Sequence, residues 1–596
     1  MTAGEAGARE FGWRRHVPVI IALVVAAAYR LVVLAGLRQH PEILEPVLDG
    51  AAHLAWARGL LDGTWPGPEP FFRAPGYPFA LAGLLAVAGG WKTAAAVQLV
   101  AGSITAGLAA ALGRRLGGGP AAWIGGLGAA LYAPLAFFDF QFLAPVLAVP
   151  LFLGATLATL AADERPSAAR VVAAALLWAV AVTVRPPLLA GAVVLPALLL
   201  LRRRRALAAL AVAGVLSLPL VVTARNAAVG DAAFLATQGG LNFYLGNGAL
   251  ADGVAATFPD APTALGYRMM EAAGALAERE TGEPLRATEV SRFWAARARA
   301  DIAADPVRWI GLLGKKAFLF LCAREIPNNH DPVLAAELVP ALRLPGWGLW
   351  LPLAGLGVAL GFRRRDVRIV TALVAAVALG CVVFFVNARF RVPAAPLLVA
   401  LGAFGLSEAV RRLRADEGRA VVVPAGVAAV LAVAAWTNPY GLPRDPWPMS
   451  YVLVAEAERN RGEPVRSLRW IERALEAEPG LYSARLAQVE LLRRMGRLAD
   501  AEEVVDRMLT VAPDDPALLG EKAILLDLRD RPAEAVEVMD RVLRLDPGNL
   551  HARINRAVML ARCGREDEAR AELEAVMRDA AGRPEASRAA RVLGDL

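Results

Sequence analysis

Six side chains have the types and placement for acid–base and anion chemistry. Asp49 lies in "LEPVLDGAAHLAWARGLLDGTWPGPEPFFRAPGYP" and Asp139 in "YAPLAFFDFQFLAP". Arg185 stands in "TVRPP", Arg225 in "ARN", and Arg389 and Arg391 in "NARFRVP". A carboxylate can take the proton of an incoming hydroxyl or amine. Guanidiniums hold phosphate by directed, paired hydrogen bonds and stabilise it as a leaving group. Each residue also has a plainer reading. A lone interfacial arginine snorkels to headgroups, and a lone loop aspartate is solvated. Asn242 and Asn247 in "GGLNFYLGNG" suit an ordinary turn. A shared site requires elements that carry all of them to one face.

The 596 residues are 57% apolar, with a mean hydropathy of +0.45. Blocks of Ala, Leu and Val recur from residue 17 to residue 437, several approaching the roughly 20 residues that span a bilayer. The sequence after 437 is rich in Arg, Glu and Asp and has no such run. The expected fold is all-α. Residues 1–16 form a cytoplasmic N-terminus, 17–437 a polytopic helical membrane domain, 438–445 a linker and 446–596 a soluble domain. The first apolar run continues past the length of a signal peptide and reads as an uncleaved span. The net charge of +8 does not imply nucleic acid, because the arginine clusters sit between apolar runs, where topology explains them. Cys322, Cys381 and Cys563 are too scattered for a disulfide framework or a metal set.

Those clusters are Arg14-Arg15, Arg114-Arg115, Arg165 with Arg170, Arg202–Arg205, Arg363–Arg365 with Arg368, and Arg411 to Arg419. Placing all of them in the cytoplasm gives about eleven spans. They fall at 17–37, 92–112, 120–137, 140–161, 168–184, 187–201, 206–224, 344–361, 368–386, 392–410 and 420–437. Two short apolar pieces, 76–90 and 309–322, read as helices at the outer face. Counting both as spans gives thirteen and misplaces two arginine clusters. The outer loops are then 38–91 and 225–343, with outer turns near Asp139, Arg185 and 387–392. The positive-inside rule disfavours arginine at outer span ends, yet Arg185, Arg225, Arg389 and Arg391 all stand there. With acids on the same face, the pattern points to a bilayer-level anion site. It suits glycosyl transfer from a lipid-linked phosphate donor to an acceptor outside the cytoplasm.

The order of "FFRAPGYP", "GRRLGG", "YAPLAFFD", "TVRPP", "GGLNFYLGNG", "REIPNN" and "RFRVPAAPLL" resembles the bacterial GT-C glycosyltransferases of the protein-O-mannosyltransferase-like type. This group is similar to the aminoarabinose transferase of lipid A. The resemblance covers about residues 12–410. It implies a polyprenyl-phosphate-linked sugar donor, inverting transfer and a bacterial inner-membrane location. Asp49 matches the family's first-loop acid and becomes the general base or acceptor-orienting acid. Members commonly carry two adjacent acids there; here the neighbours are Leu48 and Gly50. Where a Tyr is common, this chain has His53. Asp139 matches the second-loop acid. Arg185, Arg225, Lys316, Arg389 and Arg391 are the donor-phosphate candidates. His53, Arg73, Tyr77, Asp139, Asn242, Asn247, Glu325, Asn328 and His330 are the cavity candidates. A divalent metal could take Asp49, Asp139 and His53 as ligands, though no spacing demands one.

Beyond residue 446 the chain repeats. Pro479, Pro513 and Pro547 are 34 residues apart, as are Gly496, Asp530 and Gly564, and Ser467, Ala501, Ala535 and Ala569. This is the period of the tetratricopeptide repeat, an α-solenoid of helix pairs. Units begin near 446, 480, 514 and 548, with 581–596 as a cap. Such a solenoid suits a protein partner or acceptor. Three other readings compete: a transporter or flippase of lipid-linked sugars, a polymerase or ligase, and a membrane-anchored repeat scaffold. A transporter needs polar residues at mid-span, whereas this set gathers at one face.

Overall fold

A computed structural model describes residues 16–254, 258, 267–580 and 584–595. Arg14, Arg15 and the first residues of the expected cap lie outside them. All regular elements among the described residues are helical, and the chain divides into two compact units, Met1–Trp447 and Pro448–Leu596.

Among the described residues of the first unit, eight helices are long and apolar enough to cross a membrane. The Leu99–Ala130 helix breaks at Gly117–Gly118, where the backbone leaves helical geometry. Ala168–Val184 and Pro186–Leu201 are shorter apolar stretches. The expected span 120–137 instead stops at Ala130, and a separate Ala133–Phe138 helix follows. Pro134 lies in the first turn of that second helix, where its missing N–H costs nothing, and it cannot donate to the carbonyl of Ala130, where the first helix stops. The expected span 187–201 is broken into pieces ending Leu188, Ala192 and Leu201. Pro196 cannot donate to the carbonyl of Ala192, which is where the second piece ends. The pieces expected at the outer face form the helices Gly76–Ala88 and Pro306–Leu321.

One end of this bundle collects the arginine clusters. Arg202 and Arg365 both pair with Asp163, at 3.0 and 2.7 Å. Arg115 pairs with Glu164 at 3.0 Å, and Arg412 donates to the Leu360 carbonyl. Asp163 and Glu164 thus pair with three of these arginines, while Arg203, Arg204 and Arg205 are exposed.

The second unit repeats with a 34-residue step. First helices begin at Pro448, Tyr482, Pro516, Leu550 and Pro584, and second helices at Pro464, Leu498, Pro532 and Glu566. The turns between them hold Gly462, Gly496, Asp530 and Gly564 at positive φ. Ser467, Ala501, Ala535 and Ala569 are all buried, and their small side chains let the paired helices approach closely.

Candidate active site

The Leu48–Asp62 helix carries Asp49 in its first turn. Leu48, immediately before it, holds φ at +47°, a left-handed conformation uncommon for a bulky side chain and costly to maintain. Asp49 is gripped by two arginines. Arg73 Nη1 lies 2.6 Å from its Oδ1 and Arg389 Nη1 2.5 Å from its Oδ2. The three side chains are 15, 13 and 16% exposed for Arg73, Arg389 and Asp49, so the cluster is shielded but reachable. Burial alone would raise the Asp49 pKa. The two guanidiniums reverse this and hold it below the usual carboxylate range.

Each arginine is positioned by a separate element. Arg73 sits on the loop before Gly76–Ala88. That loop is fixed by Asn226, whose Oδ1 accepts from the Phe71 N–H at 3.0 Å, and by the Thr237 and Gln238 amides, which donate to Phe71 and Phe72. Arg225 donates to the carbonyls of Gly67 and Glu69, both at 2.5 Å, and lies over the Phe71 ring. Gly76 starts its helix against the end of the Ala168–Val184 helix. A Cβ there would lie 2.8 Å from the Thr183 and Val184 backbone, so only glycine permits this approach. Arg389 belongs to a short turn capped by Asn387 and tied by the Ala388 amide to the Ile326 carbonyl at 2.8 Å. Asn329 receives a further Arg389 hydrogen bond at 3.1 Å.

Arg185 follows the Ala168–Val184 helix and is 8% exposed. It makes no ion pair or hydrogen bond with a described carboxylate. Its guanidinium rests 5.0 Å from the Phe390 ring centroid, and that of Arg389 rests 5.1 Å from the same centroid. Cations at this spacing over a ring are attracted by its π face. Two arginines therefore flank one carboxylate, and a third, Arg185, stands beside Arg389 across the Phe390 ring with no carboxylate of its own.

The neighbouring candidates take different roles. His53, one turn beyond Asp49, places Nδ1 2.9 Å from the Phe142 carbonyl, and burial lowers its pKa to about 4 against the pull of Asp49. Tyr77 packs edge-on to the His53 ring and donates to Gln98 at 2.7 Å. Gln98 in turn donates to the Asp139 and Gln141 carbonyls. Asp139 is not open. It pairs with fully buried Arg30 at 2.6 Å, and burial raises its pKa to about 6 while Arg30 pulls it down. Arg391 is also committed, to Glu325 at 3.1 Å and to the Cys322 and Arg324 carbonyls, with its guanidinium over Trp347. His330 binds the Glu45 carbonyl at 2.8 Å, and burial lowers its pKa to about 4. Asn328 and Asn242 are half-buried.

Lys316 belongs to a second cluster. It is fully buried, and its Nζ donates to Asn247 Oδ1 at 3.0 Å, as does Trp309 Nε1. Burial and the nearby Arg308 charge lower its pKa to about 8. Asn247 also donates to the Val383 carbonyl at 2.8 Å, upstream of the turn that carries Arg389.

Sequence reasoning missed Asn329, Arg30, Gln98 and Asn226. Asn329 neighbours a chosen residue in "PNNHD". Arg30 was visible as the charge inside an apolar run. Gln98 and Asn226 carried no signal that sets them apart from ordinary polar residues. No group of three or more His, Cys, Asp or Glu side chains that could hold a metal occurs among the described residues. Asp49 and Asp139, the metal candidates, are each held by arginine.

Residues 528–593 match the tetratricopeptide-repeat family model. With the 34-residue register of the helices, this defines the C-terminal part as tetratricopeptide repeats. No curated relative matches the sequence. Similar solved structures include MamA from Desulfovibrio magneticus RS-1, 17% identical over 28% of this chain and 93% of that chain, with a TM-score of 0.21. The P58(IPK) tetratricopeptide-repeat domain is 14% identical over 75% of this chain and 98% of that chain, with a TM-score of 0.17. Scores this low leave the assignment to the repeat register and the family match.

Proposed function

We propose that the protein is an integral-membrane glycosyltransferase of the bacterial inner membrane, moving a sugar from a polyprenyl-phosphate donor to an extracytoplasmic acceptor. The observation that carries this reading is Asp49 gripped by Arg73 and Arg389, with Arg185 close by and lacking a carboxylate of its own. Asp163 also faces two arginines, but those are 36 and 41% exposed and screened by solvent. The shielded Asp49 cluster keeps a positive excess that a phosphate can fill, and the excess grows in value as the leaving phosphate becomes a dianion. Arg73, Arg185 and Arg389 hold the donor phosphate, and Asp49 orients the acceptor hydroxyl or amine. Arg225 and Arg391 support the site by fixing the loops around it. The segregation of the arginine clusters to one end of the bundle supports an outer site at the other end.

The C-terminal repeats bind a protein partner or acceptor. Deleting 448–596 leaves donor binding intact and weakens acceptor use or complex formation. The direct test incubates the purified protein with a panel of polyprenyl-phosphate sugars and envelope extract, and follows release of polyprenyl phosphate. Release that requires Arg389 and Asp49 supports the reading. No release from any donor by folded protein overturns it.

A further inference from the structure

Asp49 is poorly suited to take a proton. Its Oδ2 accepts from Arg389 at 2.5 Å and its Oδ1 lies 2.6 Å from the Arg73 guanidinium, and a carboxylate flanked by two cations is weakly basic. His53 stands one helical turn further along the same face. Its Nδ1 lies 2.9 Å from the Phe142 carbonyl, which can only accept. A neutral ring in that contact must carry its proton on Nδ1, so Nε2 holds the free lone pair. No hydrogen bond joins Nε2 to any described residue. The charged and titratable groups facing the ring are Asp49 on its own helix, Arg73 on the following loop, Arg389 on the turn after Asn387, and Tyr77 on Gly76–Ala88.

We infer that His53, through Nε2, is the proton acceptor of the transfer reaction, with Asp49 orienting the acceptor and stabilising the imidazolium that forms. This assignment rests on the glycosyltransferase reading. The acceptor oxygen bonds to the anomeric carbon of the donor sugar as the bond from that carbon to the phosphate oxygen breaks. The bonding pair leaves on that oxygen, giving polyprenyl phosphate dianion. The hydroxyl proton passes to His53 Nε2 and then to water. Burial keeps the ring neutral at physiological pH and therefore competent to accept. A donor phosphate that draws Arg73 and Arg389 toward itself removes positive charge from beside the ring, so basicity rises when the donor arrives.

His53→Asn is the informative variant, because its side-chain amide can keep the hydrogen bond to Phe142 while supplying no basic nitrogen. Release of polyprenyl phosphate in the presence of acceptor extract is measured for both proteins from pH 4 to pH 9. Expected is a fall of roughly 100-fold or more in kcat, with the acid-side limb of the profile lost and the donor KM little changed. An active wild type with an equally active His53→Asn and an unchanged profile overturns the His53 assignment alone. A wild type that releases nothing overturns the transferase reading and this role with it. Imidazole ¹⁵N spectra of histidine-labelled protein give a readout independent of turnover, because the chain has only five histidines. The signal lost in His53→Asn should report protonation at Nδ1 alone at pH 7. A proton on Nε2 at that pH also overturns the assignment.

Discussion

Replacing Asp49 by Asn should tighten phosphate binding while abolishing transfer. Asp49 competes with any phosphate for Arg73 and Arg389, so removing its charge frees both. A carboxylate and a phosphate bracketed by the same guanidiniums lie about 6 Å apart. At an effective dielectric near 20 their repulsion is about 3 kcal/mol. The cluster is partly open, and counterions reduce this by roughly half. The remaining ~1.5 kcal/mol corresponds to about tenfold tighter binding of polyprenyl phosphate to Asp49→Asn. Arg389→Ala removes a phosphate donor and should weaken binding about tenfold by the same arithmetic. Titration of detergent-solubilised protein with polyprenyl phosphate measures both. A loss of affinity in Asp49→Asn as large as that in Arg389→Ala would refute the reasoning, because Asp49 would then be organising the arginines rather than competing for them.

Other perturbations follow from the same geometry. A Cβ at Gly102 would lie 1.9 Å from Asp139 Oδ2 and 2.4 Å from Arg30 Nε. Gly102→Ala should therefore split that buried ion pair and cost about 3 kcal/mol or more, seen as a lower melting temperature. His53 and His330 are held near pKa 4, below the ordinary 6.5, so the unfolded chain takes up two protons that the folded chain refuses. Asp139, raised to about 6, opposes with one proton. Stability should accordingly fall as pH drops from about 6.5 to 4, on the order of 1 kcal/mol per pH unit from the net single proton. His330→Gln should flatten that slope in a thermal-shift series. In the repeats, Ala535 is fully buried between helices while Ala533 is exposed. Ala535→Leu should cost about 1–3 kcal/mol by overpacking and Ala533→Leu little, checked by denaturant unfolding.

The repeats were readable because their signal is local. A small residue, a turn residue and a proline recur at one spacing, and stacked helix pairs need only their neighbours. Apolar helices were readable for the same reason, since composition over about 20 residues decides them. Their breaks were harder. "LYAP" and "LPALLLL" stay apolar across the point where a proline interrupts the hydrogen-bond ladder, so hydropathy passed over both. In the site, sequence showed which residues carry charge but not which charges find each other. Arg391 and Arg185 have the same composition signal, yet one is spent on Glu325 and backbone carbonyls while the other has no carboxylate. Asp49 and Asp139 divide similarly, because Arg30 reaches Asp139 from a helix more than a hundred residues away. Such pairings are fixed by tertiary contact and leave no trace in spacing.

The Arg419–Trp436 helix is the least buried of the candidate spans and exposes Val422, Val423, Val430 and Val433. Its other face packs on the Trp347–Gly361 helix, with Val421 and Ala428 against the cluster of Leu356, Leu360 and Ala409, and its last turn is tied by Trp436 Nε1 donating to the Gly348 carbonyl at 3.2 Å and the Ala323 amide donating to the Ala435 carbonyl at 2.8 Å. Protein therefore covers one face of this helix, and in the proposed membrane setting lipid covers the other. In practical terms it is the element most sensitive to how the protein is extracted. A short-chain detergent that covers its valines poorly should loosen it before any other span. Preparations in nanodiscs or long-chain detergents should keep that helix ordered.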